Sequence, residues 1–128
     1  MSESITITLP LPHKHLSPNA RVHWRAKAKA TKAYREQSFL DTLSAISSQE
    51  TVKHDAEWLY ATSQATFYHA QTRRRDKDNL LSSLKAAMDG ITDSRLIDDD
   101  VGITHLPVVC EIDRENPRVE ITITKIGA

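Results

Sequence analysis

The stretch Arg73-Arg74-Arg75-Asp76-Lys77-Asp78-Asn79, answered by Asp98-Asp99-Asp100 just before Ile103, decides how this 128-residue chain is read. Between the two blocks Leu80, Leu84, Ala87 and Ile91 recur at helical spacing, which predicts a short amphipathic helix over 80–91. Asp78 or Asn79 would stand at its start, where such side chains cap free backbone N–H groups. Upstream, Glu57 to Tyr68 alternates like a long strand. Leu59, Ala61, Ala65 and Phe67 take one face, and Trp58, Tyr60, Thr62 and Tyr68 take the other. A strand running into 73–78, then a helix, then a turn at 92–95, would bring the 98–100 cluster back beside Asp76 and Asp78.

Working outward, Ser4 to Leu9 alternates with Ile5, Ile7 and Leu9 on one face, as a half-buried strand does. Pro10, Pro12 and Pro18 break regular structure after it. From Trp24 to Ser47 neither Gly nor Pro interrupts an Ala-rich helical run, with Tyr34, Phe39, Leu40, Leu43 and Ile46 as its expected buried stripe. Gln49 to Asp55 reads as a polar connection. Leu106 to Ile112 and Val119 to Ile123 read as two strands of a hairpin, joined by the turn Arg114-Glu115-Asn116-Pro117. The order β-α-β-α-β-β implies an α/β (α+β-like) domain spanning 1–128, a small mixed sheet of about four strands covered by two main helices.

Composition agrees with one soluble globular domain: 39% of residues are hydrophobic and 27% charged. The net charge of zero conceals an asymmetry. Residues 1–75 hold 11 Lys/Arg against 6 Asp/Glu, and 76–128 hold 6 against 11, so an anionic partner is not excluded. Cys110 stands alone, which rules out an internal disulfide; a reducing cytoplasm fits, and its apolar surroundings suggest a small buried hydrophobe. No apolar run reaches membrane-spanning length, and the first residues carry no signal pattern.

Residues 21–35 contain Arg21, Arg25, Lys27, Lys29, Lys32 and Arg35 and no acid. Such a run is either a solvated helix surface or a footprint for a phosphate backbone, in which each cation displaces condensed counterions. His23 and Trp24 beside it could stack on a base, or Trp24 could belong to the core. Hard carboxylates without a His/Cys cluster suit Mg²⁺ or Mn²⁺ and not zinc. Water held by such an ion can attack phosphorus while the cation offsets the developing charge. The plain alternative is a capped helix followed by a solvated acidic turn. Leu80 and Leu81 exclude an EF-hand loop, and Gly90, Gly102 and Gly127 are too scattered for a glycine-rich phosphate loop. His13, His15, His54, His69 and His105 show no metal spacing and read as surface or strand positions.

Taken together, Arg75-Asp76-Lys77-Asp78-Asn79-Leu80, Lys85 with Asp89, and Asp99-Asp100 with Ile103 resemble the RusA family of phage-derived Holliday junction resolvases. Leu9-Pro10, Pro12 and Pro18-Asn19 are similar to that family's start. The resemblance implies a Mg²⁺-dependent endonuclease (Mn²⁺ substituting) that acts as a homodimer on four-way DNA junctions. It also implies paired nicks, in recombination and repair. It assigns metal binding to Asp76, Asp78 and Asp100, or Asp99 if the alignment slips by one residue. The family's lysine position is occupied by Ser82. Lys85 lies on the same helix face one turn later and would neutralise charge at the cut phosphate. Arg73, Arg74, Arg75 and Asn79, with Arg21, Arg25, Lys29 and Lys32, would contact DNA. Two other readings remain at this point: a non-catalytic DNA-binding module of phage origin, and a nuclease for branched DNA without junction preference.

Overall fold

A computed structural model of the chain describes residues 3–49 and 57–127. The connection expected at 49–55, with His54, lies almost wholly outside the described residues. The elements are β1 (Ser4–Leu9), α1 (Trp24–Ser48), β2 (Ala61–His69), α2 (Lys77–Ser82), α3 (Lys85–Asp93), β3 (Ile103–His105), β4 (Val109–Ile112) and β5 (Arg118–Lys125). Short 3₁₀ turns lie at Lys14–Leu16 and Asp100–Gly102.

The sheet is mixed and has five strands, in the order β1-β5-β2-β3, with β4 following β3 along the same edge of β2. Period-2 alternation builds its core. Ile5, Ile7 and Leu9 of β1, Val119, Ile121 and Ile123 of β5, and Ala61, Ala65 and Phe67 of β2 all face inward and are buried. The fifth strand arises because the apolar run after Asp100 divides. Pro107 has no N–H for the ladder, so β3 and β4 are separate strands, each parallel to β2.

The expected hairpin does not form: β4 and β5 lie on opposite sides of β2. The residues between them cross the end of β2, where the Asp113 N–H donates to the His69 carbonyl at 2.9 Å. Asp113 Oδ1 accepts the Glu115 and Asn116 N–H groups, both at 3.1 Å, and Asp113 Oδ2 pairs with Arg118 at 2.8 Å. A self-satisfied crossing loop of this kind needs no direct pairing of the strands it joins. The upstream strand is also shorter than the alternation suggests. It starts at Ala61, so Trp58 is buried and bridges Ile97, whereas Leu59 is 63% exposed, the reverse of the expected faces.

Two main helices, α1 and α3, pack on one another, and α1 also packs on β1. The buried stripe of α1 is Tyr34, Ser38, Thr42 and Ala45; Leu40 and Leu43 are exposed, contrary to the sequence expectation. Small residues are required there because α3 presents Ala86, Ala87 and Gly90 at close range. A Cβ added at Gly90 would overlap the Arg35 carbonyl oxygen and stand 2.8 Å from Ser38 Cβ. The polar members of the stripe are satisfied: Ser38 Oγ donates to the Ala87 carbonyl at 2.6 Å and Thr42 Oγ1 to the Ser38 carbonyl at 2.7 Å. Arg35 adds a two-pronged bond to Asp93 of α3, at 2.6 and 2.8 Å.

The helix expected over 80–91 is two helices. Ser83 Oγ donates to the Leu80 carbonyl at 2.6 Å and the Leu84 N–H donates to Leu81, three residues back, so the backbone tightens there and turns. Cys110 is exposed, not buried, because β4 is an edge strand with no cover on either face.

Candidate active site

Asp76 follows directly from the coil that leaves β2, and it is the N-cap of α2. Its Oδ1 accepts both the Asp78 N–H at 2.9 Å and the Asn79 N–H at 3.2 Å. Capping by one oxygen fixes the carboxylate and leaves Oδ2 outside the cap. The cap is thus Asp76, not Asp78 or Asn79 as the periodicity suggested. Asp78 sits one residue into the first turn of α2 and is exposed.

Asp76 lines a cavity of about 350 Å³ together with Leu11, Pro12, His13, Lys14, Ser17, Phe67, His69, Arg75, Asn79, Leu80 and Ser83. Its walls come from the proline-rich loop after β1, from the end of β2 and from α2. Arg75 is half-buried and Arg73 and Arg74 are exposed in the coil before it. His69 is buried on the same face of β2 as Phe67, their rings parallel at 5.8 Å. Burial, and then the Arg75 cation, push its imidazole below the ordinary histidine range.

A second cluster lies at the start of α3. Asp99 caps the 3₁₀ turn through the Val101 N–H, at 3.2 Å, with Asp100 in that turn's first position. Hydrogen bonding between these two carboxyls holds Asp99 below the usual carboxylate range and pushes Asp100 above it. Asp89 raises Asp100 further, and Lys85 opposes that rise. Lys85 and Asp89 in turn line a smaller cavity with Lys27 and Thr31 of α1. Lys85 therefore stands near the acidic turn. Because the helix breaks at Ser83–Leu84, Ser82 ends α2 and Lys85 opens α3, so the two do not share one continuous helix face, contrary to the sequence expectation.

Among the described residues, no group of three or more His, Cys, Asp or Glu side chains is close enough together to hold a metal ion. The donors are nonetheless all carboxylate oxygens, the chemistry that suits Mg²⁺ or Mn²⁺, and one oxygen of Asp76 lies outside the cap.

The basic residues Arg21, Arg25, Lys29 and Lys32 are all exposed on or before the first turns of α1. Arg21 and Lys14 share a shallow groove that meets the main cavity at Lys14 and Ser17. Trp24 is 68% exposed, with His23 stacked beside it and the Arg25 guanidinium 5.2 Å from its ring, so it is not a core residue. Sequence reasoning passed over His13, Lys14 and His69 as cavity residues. The signal for His69 was available: it continues the inward register of Ala65 and Phe67 and comes just before the arginine run.

The family model described as Endodeoxyribonuclease RusA matches residues 12–124. A relative from Xylella fastidiosa (strain Temecula1), described as "Uncharacterized protein", is 34% identical over 126 residues, covering 94% of this chain and 76% of the relative.

Proposed function

This chain belongs to the RusA family of endodeoxyribonucleases, and from that premise we propose that it resolves four-way DNA junctions by paired phosphodiester hydrolysis. The observation that carries the reading is the placement of Asp76. Its carboxylate is fixed by one oxygen at the edge of a cavity that also holds Lys14 and Arg75.

The chain's own groups have separable tasks in this proposal. Lys14 and Arg75 draw a phosphate toward Asp76, and Arg73, Arg74, Arg21, Arg25, Lys29 and Lys32 hold the flanking backbone. Asn79, half-buried beside them, adds an uncharged donor and acceptor. Lys85 favours the ionised form of Asp100 and would offset charge at the cut phosphate. Asp76, Asp78 and Asp100, with Asp99 as the alternative third ligand, would hold a Mg²⁺ ion or its Mn²⁺ substitute. That ion, when bound, supplies Lewis acidity at phosphorus and lowers the pKa of water. Two copies would make the paired cuts. A homodimer is supported by exposed apolar residues that adjoin one another: Leu59 and Tyr60, whose backbones meet Gly102 and Ile126, and Val101, which is 87% exposed.

The test is an end-labelled four-way junction beside a matched duplex, with Mg²⁺ or EDTA, for wild type and Asp76→Asn. Asn caps a helix as well as Asp does, so the variant keeps the fold while losing the charge. Symmetric nicks in the junction alone, requiring both Mg²⁺ and Asp76, are expected. Binding without cutting in any divalent metal would replace the proposal with a non-catalytic DNA-binding module. Equal cutting of the duplex would keep the nuclease and remove the junction preference.

A further inference from the structure

The cavity beside Asp76 contains a group that phosphate hydrolysis leaves unused. His69 is nine-tenths buried and lines the cavity. Among the described residues its imidazole nitrogens have no hydrogen-bond partner, while its ring face lies on Phe67. Burial and then Arg75 disfavour the charged ring, and a neutral imidazole presents one donor and one acceptor. Buried polar groups are normally paired, and an unpaired one facing an opening points to a ligand. The opening is the size of a small-molecule site, at about 350 Å³, which is too small for a duplex. Leu11 and Leu80 give it apolar sides, Asn79 a second pair of hydrogen-bonding atoms, and Lys14 and Arg75 positive charge.

We propose that this cavity receives one unstacked nucleotide of the cut strand, its base between Leu11 and Leu80 with its edge on His69 and Asn79. The neighbouring phosphate lies on Lys14 and Arg75. This rests on the nuclease reading given above, and it adds a substrate determinant to it. Extruding a base is least costly where stacking is already interrupted, as it is where strands exchange. The cavity would therefore favour a branch point over continuous duplex, and it would read the base next to the cut.

The experiment places 2-aminopurine, which brightens on unstacking, at each nucleotide around the branch point of a four-way junction. The protein is added in EDTA, with binding followed by anisotropy and cutting measured separately in Mg²⁺. A severalfold fluorescence rise at one position next to the cut is expected for wild type. His69→Phe, which removes the hydrogen-bonding edge and keeps the stack on Phe67, should abolish the rise. Leu11→Trp blocks the opposite side and serves the same purpose if His69→Phe does not fold. An abasic site at the responding position should tighten binding severalfold, since no base then has to unstack. Binding and cutting with no rise at any position would overturn the cavity assignment and leave the nuclease reading standing. A rise that persists in both variants would overturn it too, and failure to bind or cut any branched DNA would remove both.

Discussion

Gly90→Ala tests how the two main helices meet. Alanine is the better helix former, so an isolated α3 would gain about 1 kcal/mol from the change. In the folded chain the new methyl group would overlap the Arg35 carbonyl oxygen, lie 2.8 Å from Ser38 Cβ and stand 3.0 Å from the Phe39 nitrogen. The first and last of these are backbone atoms, which no rotamer change moves, so α1 and α3 must separate. Overpacking of this kind costs about 1–3 kcal/mol. Separation also stretches the bond from Ser38 Oγ to the Ala87 carbonyl, now 2.6 Å, at about 1 kcal/mol more when the acceptor stays buried. The net expectation is a loss of about 1–3 kcal/mol, which for a domain of this size lowers Tm by roughly 4–11 °C. Urea unfolding followed by circular dichroism, with calorimetry for Tm, measures it. A variant as stable as wild type, with an unchanged urea m-value, would refute the close approach. The propensity gain would then have gone unopposed.

Other substitutions separate the remaining contributions. Asp76→Ala should cost about 1 kcal/mol by removing the α2 cap, whereas Asp76→Asn should be close to neutral in a thermal melt. If both lower Tm equally, the cap described for Oδ1 is not what stabilises α2. Removing Arg25, Lys29 and Lys32 singly should weaken junction binding at all sequences and reduce the slope of log K against log salt by about one each; an unchanged slope removes that residue from the footprint. The Arg35 hydrogen bond lowers the Asp93 carboxyl below its ordinary value, so its contribution is present above pH 3.8 and is lost as pH falls through the folded value. Both side chains are more than a third exposed, which limits the effect to about 0.5 kcal/mol. Asp93→Asn should narrow the Tm difference between pH 7 and pH 3 accordingly, and an identical difference in both proteins would show that the pair contributes nothing.

Alternation along β1 and β5 and the uninterrupted Trp24–Ser48 helix were legible because each rests on a local period. The partners of each strand were not. Nothing in Val109–Ile112 says that β2 already occupies the place beside β5; that follows from the reach of the loop over His69. The buried stripe of α1 was misread because hydrophobicity favours Leu40 and Leu43, while the close approach of Gly90 requires a small side chain at Ser38. At the site, the spacing of Asp76, Asp78 and Asp98–Asp100 picked out the acidic residues, but not that Asp76 would cap α2 at the cavity or that Asp99 would cap the 3₁₀ turn before β3. His69 escaped notice because a lone histidine in a strand gives no metal or catalytic spacing, although it continues the face of Ala65 and Phe67.

The position of β5 governs when this chain can become a protein. It lies between β1 and β2, with Ser4 paired to Thr124 and Thr62 paired to the same residue from the other side. During synthesis β1 is made well before residues 118–125 and waits for its partner strand. Contacts so distant in sequence form slowly. A nascent chain carrying Asp76 through Asp100 but lacking 118–125 lacks the strand that joins β1 to β2 in the finished sheet. Translation that stalls in that interval therefore leaves unpaired strands exposed to aggregation and to proteases. The nuclease residues, although all made, would not yet be assembled on a finished sheet. Completion of the final described strand acts as a built-in delay between making the acidic residues and fixing them in place.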